Sequence, residues 1–316
     1  MSIHSEYAHH VIREVQKAVI GKDRCIEKVM MAILSGGHIL LEDIPGVGKT
    51  TMALAFSKAL NLKEKRLTFT PDVLPADLTG FTMYRKETNQ FYYQPGAVMC
   101  NLFLGDEINR TSPKTQSALL EVMEEGQVSV DGNTYQLPKP FIVIATQNPV
   151  GSAGTQMLPQ SQMDRFTVCL HMGYPDMEEE ISIIKGRIAQ NTLETVDSVL
   201  NAGQLLKLQE ECRAVFIHDR VYSYIGALIQ ATRSHSLIDL GISPRGTLAL
   251  TRMAQANAYL RQRAYVLPED VQDIFLDVCV HRLVLGSKAR ISQVTPASLL
   301  EEILKATPAP SVHRER

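Results

Sequence analysis

A doubly wound parallel-sheet α/β domain followed by a smaller all-helical domain is the fold class that this sequence predicts. Three observations carry it. The short apolar runs 102–107 and 141–145 have the length and composition of strands buried on both faces. A glycine-rich loop, Pro45-Gly46-Val47-Gly48-Lys49-Thr50, joins a strand-like run (38–41) to a helix-like run (51–60). From Met177 onward every segment reads as helical, and no strand pattern of comparable strength returns.

Each element follows from local pattern. Residues 6–20 place Val11, Val15 and Val19 at four-residue spacing, which predicts an amphipathic helix that Ile20-Gly21-Lys22 breaks. A second helix, about 23–34, leads through Gly36-Gly37 into the first strand. Beyond the glycine-rich loop, 66–70 reads as a short strand, and 102–107 is a buried strand ending in two acids. Pro113 in the first turn and Gly126 past the end bound a helix over 113–125. Asp131-Gly132 between alternating runs marks a hairpin over 128–135. The strand 141–145 ends at Thr146-Gln147-Asn148-Pro149, and a strand-like run 167–170 follows Arg165. Helices are expected at about 177–190, 202–214, 219–235, 244–262 and 268–285. The expected division is an α/β domain over 1–195, a helical domain over 196–306 and a loose tail over 307–316.

The composition bounds the function classes. With 316 residues, formal net charge −2, 45% hydrophobic and 21% charged residues, the chain has ordinary soluble globular character. It lacks the strongly basic field of a dedicated nucleic-acid binder. Five scattered cysteines without a C-x-x-C pair read as isolated thiols in a reducing compartment. The opening stretch has no secretory h-region and no run approaches the ~18 apolar residues of a membrane span. The expected location is the cytoplasm.

The loop at 45–50 is the strongest chemical signal. In the pattern G-x-x-x-x-G-K-[ST], backbone N–H groups and a helix N-terminus surround phosphate oxygens, a lysine reaches the β- and γ-phosphates and a hydroxyl reaches Mg²⁺. Gly48, Lys49 and Thr50 fill the last three places, while Asp43 replaces the first glycine. An acid beside a phosphate site must point away from it. Asp106 and Glu107 at the carboxyl end of their strand would face those phosphates. Asp106 would hold the metal with Thr50, and Glu107 would orient or deprotonate the attacking water. Asn148 ends the next strand: its amide can fix that water, although the spacing alone reads as an Asn-Pro turn. Arg165 and Arg245 taken singly read as solvated residues. Arg245, however, lies in the first turn of a helix capped by Ser243, where a cation opposes the helix dipole and calls for a nearby anion.

Taken together, residues 41–50, 69–80, 106–110, 145–149, Leu158-Pro159, Asp164-Arg165-Phe166 and Ser243-Pro244-Arg245 resemble the MoxR-type AAA+ ATPases, in the same order and over about residues 10–300. The resemblance implies a P-loop AAA+ domain with a helical lid that binds ATP and Mg²⁺. Cofactor contacts would come from Gly21, Pro45, Gly46, Val47, Gly48, Lys49, Thr50 and Thr51, and metal contacts from Thr50 and Asp106. Glu107, Asn148 (sensor 1), Arg165 (arginine finger) and Arg245 (sensor 2) would be catalytic. Segment 19–21 would lie near the adenine, with Lys22 standing where glutamine is more usual. The resemblance also implies nucleotide between the two domains, a ring of six subunits with Arg165 reaching a neighbour's γ-phosphate, and inserts at 77–95 and 128–135 facing the pore. Chaperone-like work on protein clients, often with a von Willebrand factor A domain partner, would follow; nucleic acid and direct membrane binding are not expected. The alternative is an AAA+ motor acting on nucleic acid. A GTP switch is set aside because the chain contains no Asn-Lys dipeptide for a guanine reader.

Overall fold

The computed structural model describes residues 4–44, 46–148, 158–189 and 192–310. Helix α1 (Ser5–Ala18) buries Ala8, Val11, Ile12 and Val15 along one stripe, and α2 (Asp23–Leu34) packs beside it. Then come β1 (Ile39–Glu42), α3 (Lys49–Ala59), β2 (Glu64–Thr68), α4 (Pro75–Thr79), and an antiparallel hairpin of β3 (Gly80–Arg85) and β4 (Gln90–Pro95). They are followed by β5 (Leu102–Asp106), α5 (Pro113–Glu125) and a second hairpin of β6 (Gln127–Val130) and β7 (Asn133–Gln136). The elements β8 (Ile142–Gln147), α6 (Gln160–Met163), β9 (Val168–Leu170) and α7 (Met177–Ala189) complete this part.

Five of these strands form one parallel sheet in the order β2-β5-β8-β1-β9. Side chains alternate between its faces, as a period of two requires. Leu102, Leu104, Ile142, Ile144, Ile39 and Leu41 join α1, α2 and α3 in one core, while Phe103, Val143, Ala145, Leu40 and Cys169 join α5 in the other. Helices on both faces make the sheet doubly wound. Strand β2 starts two residues earlier than the sequence pattern predicts and carries Glu64, Lys65 and Arg66, which an edge strand tolerates because it is only half covered. Phe69 leaves that strand and packs edge-on to Phe103, with ring centroids 6.5 Å apart.

The C-terminal part contains α8 (Ala202–Arg213), α9 (Asp219–Ser234), β10 (Ile238–Leu240), α10 (Pro244–Leu260), α11 (Pro268–Cys279), β11 (Val284–Leu285), α12 (Ser287–Ile291) and α13 (Pro296–Ala306). The helix expected over 268–285 stops at Cys279. A single 3₁₀ turn follows, and β11 then pairs antiparallel with β10 in a small ribbon that the helical reading did not foresee. The turn sets the Arg282 side chain, 2% exposed, among the carbonyl oxygens of Asp164, Phe166, Thr167 and Val278.

This helical part packs against α2 and β9, and its Leu208, Leu228, Leu250 and Val271 continue the core that holds α1 to α3. Gln209 Nε2 donates to the Ile33 carbonyl at 2.7 Å, and Lys28 pairs with Asp277 at 2.5 Å across the same junction. Among the described residues no helix is long and apolar enough to cross a membrane.

Candidate nucleotide-binding site

Three strand ends meet at the carboxyl edge of the sheet. Strand β1 leads into a loop in which Gly46 (φ +91°) and Gly48 (φ +98°) adopt left-handed conformations open chiefly to glycine, and α3 begins at Lys49. Pro45 lies outside the described residues. Lys49, 8% exposed, donates from Nζ to the carbonyl oxygens of Asp43 and Ile44. Burial lowers its pKa, and the negative charges of Asp43, Asp106, Glu107 and Glu42 oppose that shift. Thr50 Oγ1 is 3.5 Å from Asp106 Oδ2.

Asp43 does what its place in the loop requires. Its carboxylate turns away from the loop's interior and accepts the N–H groups of Ile44 (2.9 Å), Met172 (2.7 Å) and Gly173 (2.6 Å).

Asp106 is the last residue of β5 and 6% exposed; its Oδ2 receives Arg66 Nε and Nη2, each at 2.7 Å. The sequence reading ended the strand at Glu107, but Glu107 has left it. It is a non-glycine residue at φ 59°, ψ 46°, with its N–H on Thr146 Oγ1 at 2.9 Å. Such backbone persists only where its surroundings fix it, and it clusters at functional sites. The twist aims the Glu107 carboxylate at Asn148 Nδ2 (2.9 Å) and Arg110 Nη1 (2.6 Å). The Arg110 bond holds the Glu107 carboxyl below the usual carboxylate range, with Asn148 helping and partial burial opposing. Asn148 is itself fixed by Asn109, whose Nδ2 donates to the Asn148 carbonyl at 3.1 Å.

A cavity of about 300 Å³ adjoins the loop, lined by Val19, Ile20, Lys22, Gly46, Val47, Gly48 and Thr51 on one side and by Tyr174, Pro175, Ile183 and Ile184 on the other. Gly21 (φ +72°) is the turn between two of the lining residues; it does not line the cavity itself. Among the described residues, those that line it fall between positions 18 and 192. Among the same residues the helical part, which packs behind α2 and β9, lines no part of this cavity, whereas the sequence reading expects nucleotide between the two parts.

The two arginines lie elsewhere. Arg165 precedes β9, and it lines a second cavity of about 250 Å³ together with Arg245, Gly37 and His38, which sit at the amino end of β1. From His38 to Asp43 the chain runs five strand-like steps, so the two sites are roughly 15 Å apart along the sheet. Arg165 Nη2 (3.2 Å) and Arg245 Nη2 share the carboxylate of Glu124 at the end of α5. Arg165 Nε is buried without a hydrogen-bond partner among the described residues. Asp164 ties this group to the helical part, accepting Arg282 Nε and the hydroxyl of Ser243, the N-cap of α10, both at 2.8 Å.

The structure thus gathers Lys49, Thr50, Thr51, Asp106, Glu107 and Asn148 at one end of the sheet and Arg165 with Arg245 at the other. The sequence reading gave no role to Arg66, Thr146, Asp164 or Arg282. Arg110 and Asp164 stood inside recognised motifs, but nothing in the spacing announced that Arg66 would reach Asp106 from a neighbouring strand.

A left-handed glycine loop opening a helix, with acids and an amide at the adjoining strand ends of a β2-β5-β8-β1-β9 sheet, defines a P-loop nucleotide-binding fold with an appended lid. The family model described as "ATPase family associated with various cellular activities (AAA)" matches residues 38–168, and the AAA lid domain model matches residues 230–303. The chain is 44% identical to the YeaC protein of Bacillus subtilis over 95% of its own length and 93% of the relative's. It is 38% identical to Chaperone MoxR1 of Mycobacterium tuberculosis over 96% of its own length and 82% of the relative's. A crystal structure of a protein from Cytophaga hutchinsonii superposes with TM-score 0.90 at 36% identity, covering 98% of this chain and 96% of that one. The chain belongs to the MoxR family of AAA+ ATPases.

Proposed function

We propose that this chain binds ATP with Mg²⁺ and hydrolyses it at junctions between copies of itself in a six-membered ring. The cycle would drive chaperone-like remodelling or maturation of protein complexes. One observation carries the reading: Arg165 and Arg245 stand at the opposite end of the sheet from their own phosphate loop. Two arginines converging on one carboxylate, with a buried Arg165 Nε left unpaired, suit an anion delivered from outside the subunit. Arg245 then joins Arg165 in acting on the neighbour's γ-phosphate. The proposed division is an α/β domain over 1–195 and a lid over 196–306.

Within one subunit, Lys49 exchanges the Asp43 and Ile44 carbonyls for phosphate oxygens. The Thr50 hydroxyl and the Asp106 carboxylate are hard oxygen donors 3.5 Å apart, fit Mg²⁺ and would hold it. When bound, the ion would supply charge neutralisation for the triphosphate. Arg66, which holds Asp106 in the free chain, would have to release it for that role. Glu107, ionised and held by Asn148 and Arg110, orients the attacking water and accepts its proton. The base lies against Ile20, Val47 and Ile183. For the client, the β3–β4 hairpin offers exposed Phe81, Tyr84 and Phe91. A relative named as a chaperone supports protein work, and a von Willebrand factor A domain partner and a cytoplasmic setting complete the reading.

The test mixes variants. An arginine supplied in trans is worth ~10³ to 10⁵ in rate, so Arg165→Ala should bind ATP and barely turn it over, with Arg245→Ala impaired in the same sense. Adding Lys49→Ala subunits to either should restore turnover at junctions where an intact arginine meets an intact lysine. No recovery despite demonstrated co-assembly defeats the arrangement in trans. ATPase activity that rises several-fold with DNA or RNA, and loses that rise with salt, would transfer the protein to the nucleic-acid motors.

A further inference from the structure

The connector over residues 171–176, between β9 and α7, is held from two sides by charged residues that phosphate chemistry does not need. Asp43 holds its first half. One carboxylate oxygen takes both the Met172 and Gly173 N–H groups, and the Met172 methyl lies where a side chain on Gly48 would meet it at 3.7 Å. Lys22 holds the second half. Its side chain is only 9% exposed, and Nζ donates to the Tyr174 carbonyl at 3.0 Å and pairs with Glu179 at 3.6 Å. Glu179 in turn accepts the Asp176 N–H at 2.9 Å, and it lies so close over Gly21 that an added Cβ would fall 2.0 Å from its carboxyl carbon. Between the two anchors, Tyr174 and Pro175 form a wall of the base cavity.

We infer that Asp43 and Lys22 are positioning residues for the nucleotide base: together they strap the 171–176 connector across the cavity beside the phosphate loop. The inference rests on the ATP reading above. It explains why an acid stands where the phosphate-loop pattern has glycine. The electrostatics oppose any direct benefit, since a carboxylate near a triphosphate repels it. Simple Coulomb reasoning therefore predicts that Asp43→Gly, which restores the pattern, tightens ATP. The strap predicts the reverse, because the connector loses the acceptor of two charge-assisted hydrogen bonds and the wall of the cavity is no longer fixed.

The experiment titrates a fluorescent ATP analogue into the full chain and displaces it with ATP or with inorganic tripolyphosphate, which has no base. For Asp43→Gly the dissociation constant for ATP should rise roughly 10- to 150-fold, corresponding to one lost hydrogen bond to a charged group, while that for tripolyphosphate stays within about twofold or falls. Lys22→Gln should weaken ATP more than tripolyphosphate. Asp43→Asn, which keeps the side chain's shape, should fall between wild type and Asp43→Gly, and its thermal unfolding confirms an intact fold. Unchanged or tighter ATP binding in Asp43→Gly overturns the strap, as does parallel weakening of ATP and tripolyphosphate in both Asp43 variants. A wild-type chain that binds tripolyphosphate but discriminates no base also removes it. A wild-type chain that binds neither defeats the ATP reading itself.

Discussion

In the proposed ring, Glu124 stands where a neighbour's phosphate would bind, and replacing it tests how the two arginines are kept. In the free chain Arg165 and Arg245 both end on its carboxylate. The Glu124 side chain is 40% exposed and those of the arginines 28% and 41%, so each pair is worth the modest value of a solvated ion pair, about 0.2–1 kcal/mol. Two such pairs restrain the arginines by at most ~2 kcal/mol, a factor of about 30 in any equilibrium that must break both. Glu124→Gln keeps the shape and removes the charge. Global stability should move by no more than that sum. The protein concentration giving half-maximal ATPase should fall by between twofold and ~30-fold, because the arginines no longer exchange one anion for another. The assay is ATPase activity against total protein concentration, paired with sedimentation to follow assembly. An increase in the half-maximal concentration, or a loss of turnover at saturating protein, would show that Glu124 aligns the arginines for the neighbour. The restraint argument would then be wrong.

Glu107→Gln should retain ATP affinity and lose most hydrolysis, whereas Lys49→Ala should weaken binding itself; equal affinities in Lys49→Ala and wild type by equilibrium titration would remove the phosphate loop from the mechanism. Arg263 forms a two-pronged pair with the fully buried Asp270, one contact being 2.8 Å, and Asp270 also accepts the Leu267 N–H at 2.7 Å. Arg263→Ala leaves that carboxylate buried with one donor, so stability should fall by about 3 kcal/mol and the melting temperature by roughly 4–5 °C, and a shift below 2 °C by calorimetry would contradict a buried pair. His38 accepts the Val143 N–H at Nδ1 and faces the Met123 carbonyl through Nε2, each at 3.1 Å, and burial pushes its pKa down to about 4. Its ordinary value near 6.5 applies in the unfolded chain, so its contribution is complete above pH 6.5 and is lost as pH falls from there toward 4. That loss is at most ~3 kcal/mol, reduced by the ring's partial contact with solvent. An imidazole NMR titration with a midpoint near 6.5 would refute it.

The sequence by itself determined the sheet's buried strands, the glycine-rich loop with the helix it opens, and the helices that follow. Those features depend on local chemistry: apolar runs of strand length at 102–107 and 141–145, glycines at positions needing positive φ, and a proline and a glycine bracketing α5. Asp43 could also be read to point outward, because a carboxylate facing triphosphate is unfavourable whatever the tertiary structure. What Asp43 holds could not be read, since its partners are 129 and 130 residues away.

Only the tertiary structure decided where the lid lies. Its apolar faces, on Leu208, Leu250 and Val271, fit a cover over the nucleotide as well as a buttress behind α2. Their periodicity identifies a buried stripe without naming the surface that buries it. The choice was made by pairs spanning more than a hundred residues: Gln209 with Ile33, Lys28 with Asp277, and Arg282 with Asp164. These contacts hold Ser243 beside Asp164 and so place Arg245 next to Arg165 at the far end of the sheet. The ribbon of β10 and β11, the Arg66 contact on Asp106 and the left-handed Glu107 have the same origin. Each arises where packing between distant segments outweighs a local preference of a fraction of a kcal/mol per residue.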